Sequence, residues 1–286
     1  MNIKKIAAAA LTAVMGFGLV ACGSSTSDTT TAASGTTSAS ASATTTASGS
    51  TSVSFTTAED GVLHVATNAT FPPYESTTDD GGYTGIDIDL ANAIAEKLGL
   101  TVTIDNMDFG SIIASVSSGK SDVGMAGMSV TEERKQSVDF TDSYANSKQV
   151  IIVTEDSDIQ TPDDLANADK IGCQEGTTGY IYCSDTPENG GYGEDHVIAY
   201  NNGIVAVQAL LAGKVDAVVI DEQPAKEYVK ANPGTKILDT AFADEDYSIC
   251  VSKDNPELLE AVNNALKELK ADGTVQEIID KYITAE

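Results

Sequence analysis

The sequence predicts an α/β fold with two similar lobes, each a mostly parallel sheet flanked by helices. Extended and helical patterns alternate from about residue 61 onward, which is typical of consecutive strand and helix units. The alternation completes one cycle and begins again at residue 149. This part of the chain is also long enough for two modest lobes.

The first cycle has the order strand, helix, strand, helix, strand. Its predicted elements span residues 62–67, 86–98, 102–104, 109–118 and 122–126. The first strand alternates apolar and polar residues, and Gly99 and Gly119 end the two helices. A loop rich in proline and aromatic residues, 68–75, follows the first strand.

The second cycle repeats the architecture of the first. Its strands are predicted at 149–153, 170–174, 197–200 and 216–221, and its helices start at 161 and after 179 and span 202–212 and 222–230. The chain then returns through an extended segment, 247–251, into helices at 256–271 and 274–282. Ligands of open α/β sheets bind beyond the carboxyl ends of strands. We therefore expect a site at the loops 68–74, 127–134 and 174–179 and at Asp221, which ends a strand.

The N-terminal segment predicts export and attachment to a membrane. Residues 1–21 form a predicted signal peptide, whose apolar stretch is too short for a comfortable membrane span. It ends in Leu19-Val20-Ala21-Cys22, which resembles a bacterial lipobox, so we expect Cys22 to be lipidated. The alternative is an ordinary signal peptide that ends near a cysteine. Residues 22–60 are mostly Ser, Thr, Ala and Gly and predict a flexible tether whose hydroxyls can accept glycans.

Composition narrows the range of partners. The formal net charge of −27, from 43 acidic and 16 basic residues, argues against a nucleic-acid partner. Lipidation of Cys22 would leave three of the four cysteines, so at least one thiol stays unpaired within the chain. Cys173 and Cys183 fit either a disulfide or two buried thiols. Without any CxxC spacing we predict no metal, and we predict no cofactor.

Arg134, the only arginine in the sequence, is the first candidate for a ligand-binding residue. A guanidinium binds a carboxylate or phosphate through two parallel hydrogen bonds, which lysine cannot do. Thr131 is a predicted helix N-cap, and a cation in the first helical turn opposes the helix dipole. Such exceptions are typical of functional sites. The alternative is a solvated surface charge beside Glu132 and Glu133.

Other loops at the predicted strand ends supply complementary groups. Asp221 suits an ammonium, or it caps the helix that follows. Hydroxyl donors and aromatic rings come from Ser129, Thr177, Thr178, Phe71, Tyr74 and Phe109. The aromatic residues are also typical of a core. One fixed cation, one fixed anion and an aromatic wall are complementary to a free α-amino acid.

Six segments closely resemble the polar amino-acid solute-binding proteins of bacterial ABC importers, the extracellular solute-binding protein family 3. They are residues 66–75, 85–90, 126–134, 139–144, 174–179 and 219–224, and the resemblance runs in order from Leu63 to Tyr282. It implies a two-lobe, periplasmic-binding-protein-like fold of type II, with two crossover strands as the hinge. Lobe 1 would comprise residues 61–146 and 247–286, and lobe 2 residues 147–246.

The resemblance also implies roles for individual residues. Arg134 would bind the ligand's α-carboxylate and Asp221 its α-ammonium. Further contacts would come from Phe71 stacked on the ligand, Phe109 opposite, the Gly127 carbonyl, the Ser129 hydroxyl, and Gln174 and Thr178 of the second lobe. Members of the family that take cationic amino acids often carry an acid where this chain has Asn68. The amide therefore predicts a polar neutral ligand, such as glutamine or a cystine-like amino acid.

The predicted function is extracytoplasmic capture of a free L-amino acid by lobe closure. The protein would act as a monomer, held at the bacterial cell membrane only by its lipid anchor, and deliver the ligand to an ABC permease and its ATPase. One alternative is an enzyme that resembles cyclohexadienyl dehydratases, with Glu75 or Glu175 as general acid, although neither has a sequence partner that would tune its pKa. Another is an amino-acid sensor that docks on a receptor.

Overall fold

The structure, a computed structural model, describes residues 54–283. The predicted signal peptide, the lipidation at Cys22 and the tether up to residue 53 lie outside the described residues. Within residues 54–283 no helix is long and apolar enough to cross a bilayer.

The described residues form short strands and helices that alternate along the chain. The strands are β1 (Val62–Thr67), β2 (Thr70–Phe71), β3 (Glu75–Thr77), β4 (Tyr83–Thr84), β5 (Thr101–Asn106), β6 (Val123–Gly124), β7 (Val138–Phe140), β8 (Ala145–Thr154), β9 (Ile171–Gln174), β10 (Val197–Tyr200), β11 (Ala217–Asp221), β12 (Thr235–Ile237), β13 (Ala243–Tyr247) and β14 (Cys250–Ser252). The helices are α1 (Ile86–Leu98), α2 (Ile112–Ser117), α3 (Thr178–Ser184), α4 (Gly203–Leu211), α5 (Glu222–Ala231), α6 (Pro256–Ala271) and α7 (Thr274–Tyr282).

Two sheets define the two lobes. The sheet of lobe 1 has the order β5-β1-β6-β14-β7, and that of lobe 2 the order β10-β9-β11-β8-β12, with β13 also paired to β8. The chain between β1 and α1 forms a small antiparallel sheet, β2-β3-β4. The predicted α/β fold with two lobes is confirmed, whereas the lobe boundaries at residues 146 and 247 stay a prediction.

The sheets are less parallel than expected. Only β5-β1-β6 and β10-β9-β11 run parallel. The strands β14 and β8 pair antiparallel with their neighbours, because each follows a passage of the chain from one lobe to the other. The chain enters lobe 2 along β8 and returns along β13, and these two strands pair with each other from Ala145↔Tyr247 to Gln149↔Ala243.

Several predicted elements are shorter in the structure. The Thr131 hydroxyl accepts the Arg134 N–H at 3.1 Å, but the predicted helix is only a 3-10 turn, Arg134–Gln136, whose N-cap is Glu133. The predicted helix at residue 161 is also a 3-10 helix, Pro162–Asn167. The third strand of the first cycle has only two residues.

Helices pack on the sheets through apolar residues spaced at about one helical turn. On α1, Ile86, Leu90 and Ile94 are buried in the core of lobe 1. Each such side chain contributes about 1.5–3 kcal/mol by leaving water. Their packing fixes the loops at the strand ends, where the polar residues of interest lie.

Cys173 and Cys183 are buried free thiols, and Cys173 Sγ donates to the Gly179 carbonyl at 3.7 Å, so the disulfide alternative is not present in the structure. Cys250 is also buried and free. The structure therefore agrees with the other alternative, in which Cys173 and Cys183 pack as small hydrophobic side chains.

Candidate functional site

A cavity lies where the strand ends of both lobes meet. Its empty space, counted together with the open solvent at its mouth, is about 310 Å³. It is lined by Asn68, Phe71, Glu75, Phe109, Ala126, Gly127, Ser129, Arg134, Gln174, Thr177, Thr178 and Asp221. All predicted site residues except Tyr74 are therefore brought together, and Glu75 and Ala126 join them.

Arg134 is buried, with only 6% of its surface exposed, so the alternative of a solvated surface charge is wrong. Its Nη1 donates to the carbonyl of Ser129 at 2.6 Å, and its Nη2 donates to the carbonyl of Gly176 in lobe 2 at 2.9 Å. The guanidinium carbon lies 5.3 Å from the centre of the Phe109 ring. Burial lowers the pKa of Arg134, but arginine stays charged in proteins. Of the five N–H donors of a guanidinium, several remain for an anion in the cavity.

Asp221 is held from two sides at the end of β11. The strand register pairs it with Gln149 of β8, whose Nε2 donates to Oδ2 at 2.9 Å. The hydroxyl of Tyr247 donates to Oδ1. Asp221 precedes α5, yet its side chain makes no capping hydrogen bond, which argues against the alternative of a simple helix cap.

Burial raises the pKa of Asp221 to about 7, with a further rise from nearby Glu245 that the Tyr247 and Gln149 hydrogen bonds partly offset. Near neutral pH this carboxyl is therefore a mixture of the acid and its anion. An ammonium placed against it would favour the anion.

Two further carboxyl groups form the floor behind the cavity. Glu75 lines the cavity with none of its surface exposed, and neither of its oxygens has a hydrogen-bond donor. Asp87, on α1, is equally buried, and its Oδ2 accepts the Gly127 N–H at 2.9 Å and the Tyr144 hydroxyl at 2.8 Å.

The two groups are in contact and influence each other's protonation. Burial raises the pKa of Asp87 to about 6, and burial together with the charge of Asp87 raises the pKa of Glu75 well above its usual range. A shared proton lets Glu75 donate to Asp87, which is the one hydrogen bond open to it among the described residues. The expectation that nothing tunes the pKa of Glu75 is therefore wrong.

An aromatic wall covers one side of the cavity. Phe71 packs against Gly127, which has φ = +53°, and a Cβ at this glycine would lie 2.7 Å from the Phe71 ring. Tyr74 lies behind Phe71, at a ring-centroid distance of 5.9 Å, and it meets Tyr247 edge-on at 5.0 Å. Tyr74 thus supports the wall and does not line the cavity, whereas Phe109 lines it beside Arg134.

Direct contacts across the cleft use several of the predicted ligand-binding groups. The Asn68 Oδ1 accepts from Gln174 Nε2 of lobe 2 at 3.0 Å and from the Thr70 hydroxyl at 2.9 Å, while Asn68 Nδ2 donates to the Met107 carbonyl at 2.8 Å. Tyr228 of α5 donates to the Thr70 carbonyl at 2.6 Å. The Asn68 amide is therefore largely engaged by the protein itself.

Thr177 and Thr178 of lobe 2 differ in how far the protein engages their hydroxyl groups. Thr177 caps α3, accepting the Tyr180 N–H at 3.3 Å and donating to the Gln174 carbonyl at 2.8 Å. Thr178 only accepts, from Gln149 Nε2 at 3.3 Å, so its hydroxyl hydrogen stays available to a ligand.

Sequence reasoning missed the groups that hold the charged side chains in place. Asp87 lies in one of the six segments that carry the family resemblance, so a signal was present in the sequence. Gln149 and Tyr247 reach Asp221 only through strand register and through the return of the chain along β13, neither of which a local pattern reveals.

Comparisons with known proteins agree with this geometry. The family model of bacterial extracellular solute-binding proteins, family 3, matches residues 63–285. The chain is 34% identical to ABC transporter arginine-binding protein 1 of Escherichia coli (strain K12), over 77% of this chain and 90% of that protein. It is 31% identical to a probable histidine-binding protein of Neisseria gonorrhoeae, over 79% of this chain and 84% of that protein.

Solved structures give the same picture. An ancestral arginine-binding protein bound to glutamine matches with a TM-score of 0.72 and 44% identity, over 79% of this chain and 100% of that one. The family model matches residues 63–285, and each of the two relatives and the solved structure covers 77–79% of the chain. The chain belongs to the bacterial extracellular solute-binding proteins, family 3.

Proposed function

We propose that the protein captures a free, polar L-amino acid between its lobes and delivers it to an ABC permease and its ATPase. One observation carries the proposal: Arg134 of lobe 1 and Asp221 of lobe 2, both buried, line the same cavity. The α-carboxylate and α-ammonium common to all free amino acids complement this pair. The relatives named for arginine and histidine, and the ancestral protein bound to glutamine, support this ligand class.

A ligand held in this way favours the closed protein. Its carboxylate contacts Arg134 and Ser129 in lobe 1, and its ammonium contacts Asp221 in lobe 2, with the Thr178 hydroxyl as an additional donor. An open cleft offers only one of these faces at a time. Because the ligand binds the closed state with more contacts, it shifts the population toward that state. The permease would then recognise the closed, ligand-bound protein.

The aromatic rings would hold the rest of the ligand. Phe71 and Phe109 line the cavity and present ring faces to an aliphatic stem or a planar side-chain group. Gln174 of lobe 2 donates a hydrogen bond to Asn68 of lobe 1 across the cleft. The sequence-based preference for a polar neutral ligand rests on the Asn68 amide. Since protein groups already engage that amide, this preference has less support than the amino-acid class itself.

The location of the protein follows the same proposal. Export through the signal peptide would place the domain outside the cytoplasm, with a lipid on Cys22 holding it at the cell membrane and the Ser/Thr-rich tether giving it reach. It would act as a monomer. Radiolabelled palmitate incorporation that disappears in Cys22→Ala would support the anchor, and unchanged labelling would remove it.

The test of ligand class is a thermal-shift screen of the mature chain, from Cys22 onward, with the common L-amino acids and cystine. A ligand that binds only the folded state raises the melting temperature by mass action, equivalent to about 2.7 kcal/mol at a hundredfold excess over Kd. We expect one or a few polar amino acids to give a clear shift. A flat response to the whole panel would overturn the proposal.

One feature favours a second candidate function. Glu75 is a buried carboxyl on the cavity with a raised pKa, as expected of a general acid in an enzyme like cyclohexadienyl dehydratases. Incubation with prephenate or arogenate decides between the two. Product formation that Glu75→Gln abolishes would establish the enzyme, and its absence would leave the binding function.

A further inference from the structure

Tyr228 of α5 makes a contact between the lobes that lies outside the cavity. Its hydroxyl donates to the carbonyl of Thr70 in lobe 1 at 2.6 Å, near the short end of the range for O–H···O hydrogen bonds. Neither Tyr228 nor Thr70 lines the cavity. The hydrogen bond therefore joins the two lobes through groups that a bound amino acid does not have to touch.

The Tyr228 hydroxyl is a stable donor at this position. Only 5% of the Tyr228 surface is exposed. Burial raises the pKa of Tyr228, and the charges of Glu75 and Asp221 raise it further. The hydroxyl therefore keeps its proton, and the Thr70 carbonyl is the one hydrogen-bond partner that the described residues give it. When the lobes separate, this donor loses its partner in the protein.

Lobe 2 holds the Tyr228 ring in place. The ring packs against Gly203, the first residue of α4, where an added Cβ would lie 2.8 Å from Tyr228 Cε2 and 3.4 Å from its hydroxyl oxygen. Only a glycine leaves room for the ring at this distance. Because the ring is already fixed, it gives up little further side-chain freedom when the contact forms. Whether the hydroxyl reaches Thr70 then depends on the position of the lobe as a whole.

The contact connects the outer sides of two walls of the cavity. In lobe 2, α5 begins directly after Asp221, and Tyr228 follows two helical turns later, about 10 Å along the helix axis. In lobe 1, the Thr70 hydroxyl donates to Asn68 Oδ1 at 2.9 Å, and Thr70 is followed by Phe71 in β2. Asp221, Asn68 and Phe71 all line the cavity. A movement that brings Asp221 toward lobe 1 therefore also brings the Tyr228 hydroxyl toward Thr70.

We propose that the hydrogen bond from Tyr228 to Thr70 is a latch that stabilises the closed cleft from outside the cavity, so that it raises the affinity for amino acids without selecting among them. Tyr228 is thus a positioning residue for lobe closure. The latch forms only in the closed protein, and apparent affinity rises with the fraction of protein that can adopt the binding-competent state. The inference rests on the proposed function, because the latch acts on the closure of the same site.

The experiment is titration calorimetry of the mature chain with L-arginine, L-histidine and L-glutamine, the amino acids named for the relatives, and with any other that gives a thermal shift. Tyr228→Phe removes only the hydroxyl and keeps the ring. Affinity should fall about 2- to 10-fold, as expected for a neutral hydrogen bond. The fall should agree to within about twofold for all amino acids that bind, because the latch acts on closure and not on the ligand.

Tyr192→Phe is the matched control. The Tyr192 hydroxyl also donates to a backbone carbonyl, that of Pro162 at 3.3 Å, but both residues belong to lobe 2. The control should keep the affinities of wild type. Small-angle scattering along the same titrations follows closure as a decrease in the radius of gyration. The midpoint of this decrease should move to higher amino-acid concentration in Tyr228→Phe, by the same factor as Kd, and stay in place in the control.

The outcomes separate the latch from the proposed function. Wild-type affinity in Tyr228→Phe would overturn the latch and leave amino-acid capture intact. A loss for one amino acid but not for the others that bind would place the hydroxyl on the ligand, and an equal loss in Tyr192→Phe would make the effect a general one; either result also overturns the latch. So would loss of the fold in Tyr228→Phe, measured by circular dichroism, because the hydroxyl would then be needed for folding. No binding of any amino acid by wild type would remove the proposed function itself.

Discussion

The two faces of the cavity are built in different ways. Arg134 of lobe 1 is held by backbone carbonyls, one from its own loop at Ser129 and one from Gly176 across the cleft. Asp221 of lobe 2 is held by side chains, Gln149 from the neighbouring strand and Tyr247 from the end of β13. The cation therefore takes part in the contacts across the cleft. Asp221 is oriented by hydrogen bonds from Gln149 and from Tyr247 of the crossover strand β13.

This difference indicates how the two anchors respond to a ligand. A carboxylate in the cavity meets a guanidinium that already spans the cleft and keeps spare donors. An ammonium meets a carboxyl that still holds part of its proton, so binding there depends on pH. Loss of the cation should accordingly damage both binding and closure, while loss of the acid should damage binding and its pH response.

The largest effect is expected from Arg134→Ala. Removing one partner of a buried charge pair costs about 2–5 kcal/mol in binding, and the variant also loses the contact to Gly176. Calorimetry with the ligand found in the screen measures the loss, and circular dichroism checks that the fold is kept. Lys135→Ala is the control, because Lys135 is exposed and pairs only with exposed Glu132. Binding by Arg134→Ala as tight as by wild type would show that the carboxylate lies elsewhere.

A smaller loss is expected from Asp221→Asn, about 1.5–3 kcal/mol for a hydrogen bond to a charged group. The amide keeps the shape of the side chain, but its single oxygen replaces only one of the two acceptors that Tyr247 and Gln149 use. Affinity measured by calorimetry should fall for every amino acid on the panel to a similar extent, because all share the α-ammonium. A loss confined to ligands with cationic side chains would assign Asp221 to the side chain instead.

The pH response distinguishes the two faces further. Because the folded-state pKa of Asp221 is raised from 3.8 to about 7, the folded protein holds a proton that the unfolded chain has released. This contribution to stability is fully present below about pH 4 and is lost as the pH rises through about 7. Ligand affinity should change in the opposite direction, rising with pH up to about 7 by at most about tenfold per unit. Asp221→Asn should flatten this part of the profile, and a profile that stays as steep would exclude Asp221 as its source.

The smallest effect is expected from Gln174→Ala, which removes the hydrogen bond to Asn68 across the cleft. A neutral hydrogen bond contributes about 0.5–1.5 kcal/mol, so affinity should fall only several-fold. Small-angle scattering should show a larger radius of gyration for the empty variant, since fewer contacts hold the lobes together. Gln160→Ala is the control, because Gln160 is exposed and bonds within its own loop. Unchanged scattering and affinity would mean that this pair does not hold the cleft.

Much of the fold could be predicted because its signals are local. Apolar spacing and a terminal glycine gave α1, and the apolar run that ends in Asp221 gave β11, close to where the structure has them. The short strands β2, β3, β4, β7, β12 and β13 were missed, since two to five residues carry too little pattern to stand out from a loop. The helix expected after Thr131 was wrong, because the chain turns into β7 directly after one 3-10 turn.

For the site, loops that leave strand ends could be recognised, and with them most of the cavity lining. The sequence did not show which hydrogen-bond partner each polar side chain of the site has. The Asn68 amide looked like a guide to ligand charge, yet it is engaged by Met107, Thr70 and Gln174. Glu75 looked untuned because its partner Asp87 is twelve residues away in sequence and meets it only after α1 packs on lobe 1.

Tyr247, at the end of the crossover strand β13, links the movement of the lobes to the hydrogen bonding of Asp221. Its backbone bridges to Ser129 in lobe 1, and its hydroxyl donates to Asp221 in lobe 2. A rotation of the lobes about β8 and β13 therefore moves a donor of the acid relative to the loop that carries Arg134. If the ligand's ammonium binds Asp221 as proposed, opening of the cleft would also displace this donor, so release of the ligand would be coupled to the hinge rotation.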